Sequence, residues 1–99
     1  MSDIPKGETR GKHAHRSCRQ FLVVLVGSVD VEVHDLRGVV TTQELSTGAT
    51  FFLDTFHWLE LSNFSEHCVV AVLASELYDE SEYIRDWDEF AHLQSQFRS

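Results

Sequence analysis

The sequence predicts an all-β fold, a sandwich or barrel of short strands closed by one C-terminal helix. Three observations predict it. Six short segments between positions 21 and 74 are rich in Val, Leu and Phe, and turn residues separate them at close spacing. Val29, Val31 and Val33 alternate with Asp30, Glu32 and His34, the period-two signature of a half-buried strand. Trp87, Phe90, Leu93 and Phe97 recur at helical spacing, and only there.

The elements follow in chain order. His13-Ala14-His15 reads as part of a strand. Phe21 to Val26 is apolar at every position, which predicts a strand buried on both faces. Gly27-Ser28 predicts a type II′ hairpin, because a leading glycine suits that turn. Asp35-Leu36-Arg37-Gly38 turns the chain after the alternating strand, and residues 39–45 form the next one, rich in β-branched side chains. Ser46-Thr47-Gly48 is a turn, residues 49–53 a strand, and Asp54-Thr55 a break. Residues 57–61 and 68–74 complete the strands, joined by the polar segment 62–66. Residues 77–85 read as an acidic connector with room for one helical turn. Asp86, with Glu89 three residues on, predicts a capping box and a helix over 86–97 packed outside the barrel.

Size and charge narrow the function. A chain of 99 residues, 42% hydrophobic and 24% charged, builds one domain with one core, taken here as 1–99. The longest apolar run is far short of the roughly 20 residues that a membrane span needs. The N-terminus shows no basic and apolar leader, so a cytoplasmic protein is expected, with Cys18 and Cys68 as reduced thiols. A net charge of −8 disfavours nucleic acid. The charge is uneven: Lys6, Arg10, Lys12, Arg16 and Arg19 face only Asp3 and Glu8 in the first nineteen residues. A local basic patch on an acidic protein suits a small anionic ligand, or equally a charged strand edge that resists pairing.

His13 and His15 are the candidate catalytic residues. Two apart on a strand, both imidazoles share a face, where they can bind a metal or move a proton. Their surroundings match the first sequence motif of the cupin superfamily. Gly7 stands six residues before His13, Gln20 five after His15 where a glutamate is usual, and Gly27 seven after Gln20. The fold class thus narrows to a cupin, a double-stranded β-helix or jelly-roll barrel. The second motif is partial. Gly48 and Asn63 bracket it, but Asp54 replaces Pro, Phe56 replaces Gly, and Leu59 replaces the third metal-binding His. Two neutral imidazoles hold a divalent ion weakly, so neither metal nor other cofactor is expected. His57 shares parity with Leu59 but sits roughly 6–7 Å along the strand. Arg10, Arg16 and Arg19 are candidates for a diphosphate, Gln20 for a polar contact, and Trp58 for stacking on a base or sugar, with wall packing as the alternative for Trp58.

The runs Arg10-Gly11-Lys12-His13-Ala14-His15 and Gln20 to Val29, then Trp58 to Ser65, Leu73 to Glu80 and Tyr83 to Asp86, resemble the sugar-nucleotide 3,4-ketoisomerases of the cupin superfamily. That resemblance implies a metal-independent homodimer that moves the keto group of a nucleoside-diphosphate 4-keto-6-deoxyhexose from C4 to C3 in deoxysugar and polysaccharide biosynthesis. It places the family's catalytic histidines at His13 and His15. Relative to that family the chain begins with the domain already under way, and exposed edges and apolar faces predict a partner chain. The alternative is a cupin that binds a nucleotide sugar or other small anion without turnover.

Overall fold

The structure is a computed structural model that describes residues 10–98. The first motif glycine, Gly7, and the basic Lys6 lie outside the described residues. Strands β1 (Arg10–His15), β2 (Gln20–Val26), β3 (Ser28–His34), β4 (Val40–Ser46), β5 (Thr50–Leu53), β6 (Trp58–Ser62), β7 (Val69–Ala74) and β8 (Tyr83–Ile84) precede helix α1 (Trp87–Arg98). They form a five-stranded sheet in the order β4-β3-β6-β1-β8 and a three-stranded sheet in the order β5-β2-β7. Every pairing is antiparallel.

The alternation in β3 works as expected. Val29, Val31 and Val33 are buried and meet Leu22 and Val24 of β2 across the space between the sheets. Leu45, Leu53, Leu59, Phe64 and Val70 complete this core. Its twelve buried side chains account for the barrel's stability at roughly 1.5–3 kcal/mol for each large apolar group removed from water.

Two readings of the second strand are corrected. Phe21, Leu25 and Val26 are exposed, so β2 is buried on one face only. A run of apolar residues carries no period, and periodicity alone cannot tell a two-sided strand from an apolar outer face. Gly27-Ser28 is not a hairpin either: β2 pairs with β5 and β7, while β3 pairs with β4 and β6. Gly27 instead turns the chain from one sheet into the other, at φ 92°. A Cβ there would meet Ser65 Oγ at 2.3 Å and the Cys68 Cα at 3.1 Å. Close approach as well as backbone conformation therefore demands glycine.

Asp86 caps α1, accepting from the Asp88 backbone N–H at 3.1 Å. Glu89 does not close a capping box; it takes Arg16 Nη2 at 2.6 Å and ties the helix to the end of β1. Phe90 is fully buried against Ala14, Trp58 and Ile84, a second small core behind the five-stranded sheet. The connector holds a short 3₁₀ turn, Glu80–Glu82, capped by Asp79, and then β8. Two residues are too few to show a strand period, which is why β8 was not expected. Cys18 and Cys68 are both buried, and neither is in a disulfide. No helix among the described residues is long and apolar enough to cross a membrane.

Candidate active site

The site is built on β1. Gly11 (φ 90°) and Lys12 (φ 36°) form a bulge, so that three residues of β1 span two of β6. A Cβ on Gly11 would sit 3.1 Å from the Leu59 carbonyl oxygen. The bulge sets Arg10 opposite Leu61 and His13 opposite Leu59, two positions of one face of β6. In a regular strand, residues three apart would point to opposite faces. After the bulge the alternation is regular. Ala14 faces Ile84 and the helix, and His15 faces Tyr83.

His13 and His15 thus share the inner face. Their ring centroids lie 4.7 Å apart at 89°. His15 is fully buried, and its Nδ1 bonds Glu82 Oε1 at 2.5 Å. The His13 Nδ1–H donates to the Gly11 carbonyl. Each Nδ1 is therefore spoken for, and each neutral ring keeps a bare Nε2. Both Nε2 atoms are buried and make no hydrogen bond. Burial chiefly pushes the His13 pKa below 6.5, helped by His15 and Arg85 and opposed by Gly11 and Gln20. Water or substrate oxygen is the natural partner for two such nitrogens.

Tyr83 closes the group, its ring 4.4 Å from His15 and 5.4 Å from His13. Burial, then Glu82, raises its pKa and keeps the phenol protonated. Arg85 lies over the Tyr83 ring at 4.3 Å. Glu80 holds Arg85 through Nε at 2.8 Å and Nη2 at 3.1 Å. The Arg85 and Tyr78 hydrogen bonds pull the Glu80 carboxyl down to about 2.

The other expected residues divide. Gln20 faces inward, opposite Leu53, and lies near enough to His13 to favour its protonated form. Arg10 is exposed at the start of β1. Arg19 is not on the histidines' strand, because β1 ends at His15; its Nε pairs with Asp54 at 3.0 Å, at the rim of the three-stranded sheet. There Arg19, Phe21, Phe52 and Leu73 border an open depression of about 300 Å³. For Trp58 the stacking role is corrected and the wall-packing alternative holds. It is 3% exposed and packs on Trp87 and Phe90 behind the sheet, where no ligand reaches its faces. Its neighbour Leu59 has the inward parity, so Trp58 has the outward one. His57 precedes β6, bonds the Thr55 carbonyl at 2.8 Å and stays apart from the pair.

Glu82, Tyr83 and Arg85 were not singled out from sequence as site residues. Glu82 is 67 residues from His15 and sits in an acidic run that resembles a solvated connector. As for metal donors, His15, Cys18 and Glu82 offer atoms within 4.8 Å of one another, as do Glu32, His34 and Glu60 on the outer face of β3 and β6.

Two facing antiparallel sheets with an imidazole pair on the inner face define a cupin-type double-stranded β-helix. The chain belongs to the FdtA family, described as WxcM-like, C-terminal, whose profile matches residues 1–95. It is 40% identical over 88 residues to the TDP-4-oxo-6-deoxy-alpha-D-glucose-3,4-oxoisomerase of Aneurinibacillus thermoaerophilus, covering 89% of this chain and 63% of that protein. The chain thus spans under two thirds of that relative's length. Among solved structures it resembles QdtA, a sugar 3,4-ketoisomerase from Thermoanaerobacterium thermosaccharolyticum in complex with TDP. The TM-score is 0.88 and the identity 33%, over 98% of this chain and 71% of that one. It also resembles WlaRA, a TDP-fucose-3,4-ketoisomerase from Campylobacter jejuni, with TM-score 0.88 and 27% identity over 100% of this chain and 73% of that one.

Proposed function

We propose that this protein is a sugar-nucleotide 3,4-ketoisomerase, which moves the keto group of a nucleoside-diphosphate 4-keto-6-deoxyhexose from C4 to C3. The observation that carries the reading is the pair of buried, unpartnered imidazole nitrogens on His13 and His15. The relatives named above act on TDP-linked keto sugars or bind TDP, which supports the substrate class.

The chemistry needs a proton moved between adjacent carbons. A bare Nε2 removes the C3 proton, the electron pair forms the C3–C4 double bond, and the C4 oxygen takes up a proton. The resulting enediol then returns its electrons the other way: the C3 hydroxyl loses its proton as C3 becomes the carbonyl, and C4 receives a proton. The step is redox-neutral and needs no external oxidant. Burial keeps His13 in the neutral, accepting form at physiological pH, which suits a general base. The buried inner face keeps the enediol from water.

Gln20 faces the sugar from β2, while Arg10 and Arg19 take the diphosphate at the rim. For Arg19 this means releasing Asp54. Both groups are about half exposed, so that exchange costs little, on the order of 1 kcal/mol or less. The enzyme is a cytoplasmic homodimer in this reading. The test is incubation with TDP-4-keto-6-deoxyglucose in heavy water, followed by NMR of the sugar. A 3-keto product with deuterium at C4 is expected, and His13→Asn and His15→Asn abolish it. Nucleotide binding without turnover or exchange would overturn the isomerase and leave a binding module.

A further inference from the structure

We propose that Glu82 is a positioning residue of the histidine pair, fixing the tautomer and the ring orientation of His15. The inference rests on the reading of His13 and His15 as the proton-moving pair, and it extends that reading to a residue outside the sequence motif. Glu82 Oε1 takes the His15 Nδ1–H. Its other oxygen, Oε2, accepts from the backbone N–H groups of Arg16 at 3.1 Å, Ser17 at 3.3 Å and Cys18 at 3.4 Å. The Arg16 N–H also bonds the Glu82 backbone carbonyl at 2.8 Å. One carboxylate therefore joins the catalytic ring to the turn that ends β1.

The charge state agrees with this role. Burial alone would raise the Glu82 carboxyl, but the His15 ring and the Ser17 and Cys18 N–H groups outweigh it and hold the carboxyl below its ordinary value. An ionised carboxylate is an acceptor only, so His15 must present Nδ1–H to it, and whenever the ring is neutral its lone pair then lies on Nε2. Free imidazole in water prefers the opposite tautomer, with the proton on Nε2. Without Glu82 the nitrogen that faces the site would mostly carry a proton and could not accept one. The arrangement follows the general logic in which a buried carboxylate behind a histidine sets its tautomer. The His15 ring lies perpendicular to the His13 ring with centroids 4.7 Å apart, and the Tyr83 ring packs alongside.

A purely structural role is the competing account, since Glu82 also caps the 16–18 turn. Nitrogen-15 NMR of the histidine rings in the whole, labelled protein at alkaline pH separates the two and needs no substrate. In the wild type, His15 shows a protonated Nδ1 and a bare Nε2. In Glu82→Gln the His15 signals move toward the Nε2–H form, kcat falls by about 10- to 100-fold, and KM changes by less than about twofold. Glu82→Asp keeps the charge and restores part of both signals, and it serves as the readout if Glu82→Gln does not fold. The proposal is overturned if these variants lose thermal stability while the His15 tautomer stays as in the wild type. A wild-type protein without isomerase activity would sink the proposed function but leave the tautomer result to decide the role of Glu82.

Discussion

At the residue scale His13 carries the pH signature of the site. Burial lowers its pKa from 6.5, so the folded protein binds this proton less readily than the unfolded chain does. Two consequences follow from that one shift. His13's contribution to stability is complete above pH 6.5 and is lost progressively as the pH falls from 6.5 toward the lowered folded value. Urea midpoints of the wild type therefore decrease through that window, and His13→Asn, which cannot titrate, shows a smaller decrease. A wild-type curve no steeper than that of the variant would contradict the assignment. In activity, a base that works neutral gives a kcat/KM that rises with pH along a limb centred below 6.5. A rising limb centred above 6.5 would mean that some other group carries the proton. The local chemistry of this residue was legible in sequence, because the His-x-His spacing alone put both rings on one face. Its partners were not: Glu82 and Tyr83 arrive from a two-residue strand and a 3₁₀ turn far along the chain, and only the sheet order β1-β8 brings them there.

At the scale of elements, the two sheet-to-sheet turns at Gly27 and Gly48 make a controlled pair. Both glycines have φ near 90°, so alanine is strained at either. They differ in space. A Cβ at Gly48 meets nothing within 4 Å, whereas one at Gly27 runs into Ser65 Oγ and the Cys68 backbone. Ser65 cannot simply swing away, since its Oγ accepts from the Ser28 N–H at 2.8 Å. Gly48→Ala should cost about 1–2 kcal/mol from backbone strain alone, and Gly27→Ala about 2–4 kcal/mol with crowding added. Chemical denaturation of the two variants checks this, and equal losses would show that crowding at Gly27 is relieved. Strand positions came through in the sequence wherever a polar residue punctuated the apolar pattern, as at Asp35 to Gly38 and at Asp54-Thr55. What Gly27 does was hidden, because a turn signal names a change of direction and not the sheet in which the chain resumes. The bulge at Gly11-Lys12 was hidden for a related reason: an extra residue in β1 shows only against the register of β6.

At the scale of the whole molecule, the two sheets are treated unequally on their outer faces. The five-stranded sheet is backed by α1 through Trp58 and Phe90, and elsewhere carries polar groups such as Glu32, Thr42 and Glu60. The three-stranded sheet has no such cover among the described residues. Phe21 lies directly across from Phe52 on one side and Leu73 on the other, and the three are 39%, 56% and 64% exposed. Adjacent apolar side chains on one sheet face form a patch of the kind that marks an interface. The proposed homodimer covers this face with the same face of a second copy, as a two-fold interface requires. Sedimentation analysis should then give about twice the chain mass of 11.4 kDa. An apolar contact outlasts salt, so the dimer persists at an ionic strength of about 1 M, where exposed ion pairs are screened. Leu73→Glu and Phe52→Glu each place a charge in the contact without touching the inner face, so they yield folded monomers with the His13–His15 geometry intact. A wild-type protein that sediments as a monomer at micromolar concentration, or charge variants that remain dimeric, would remove this face as the contact.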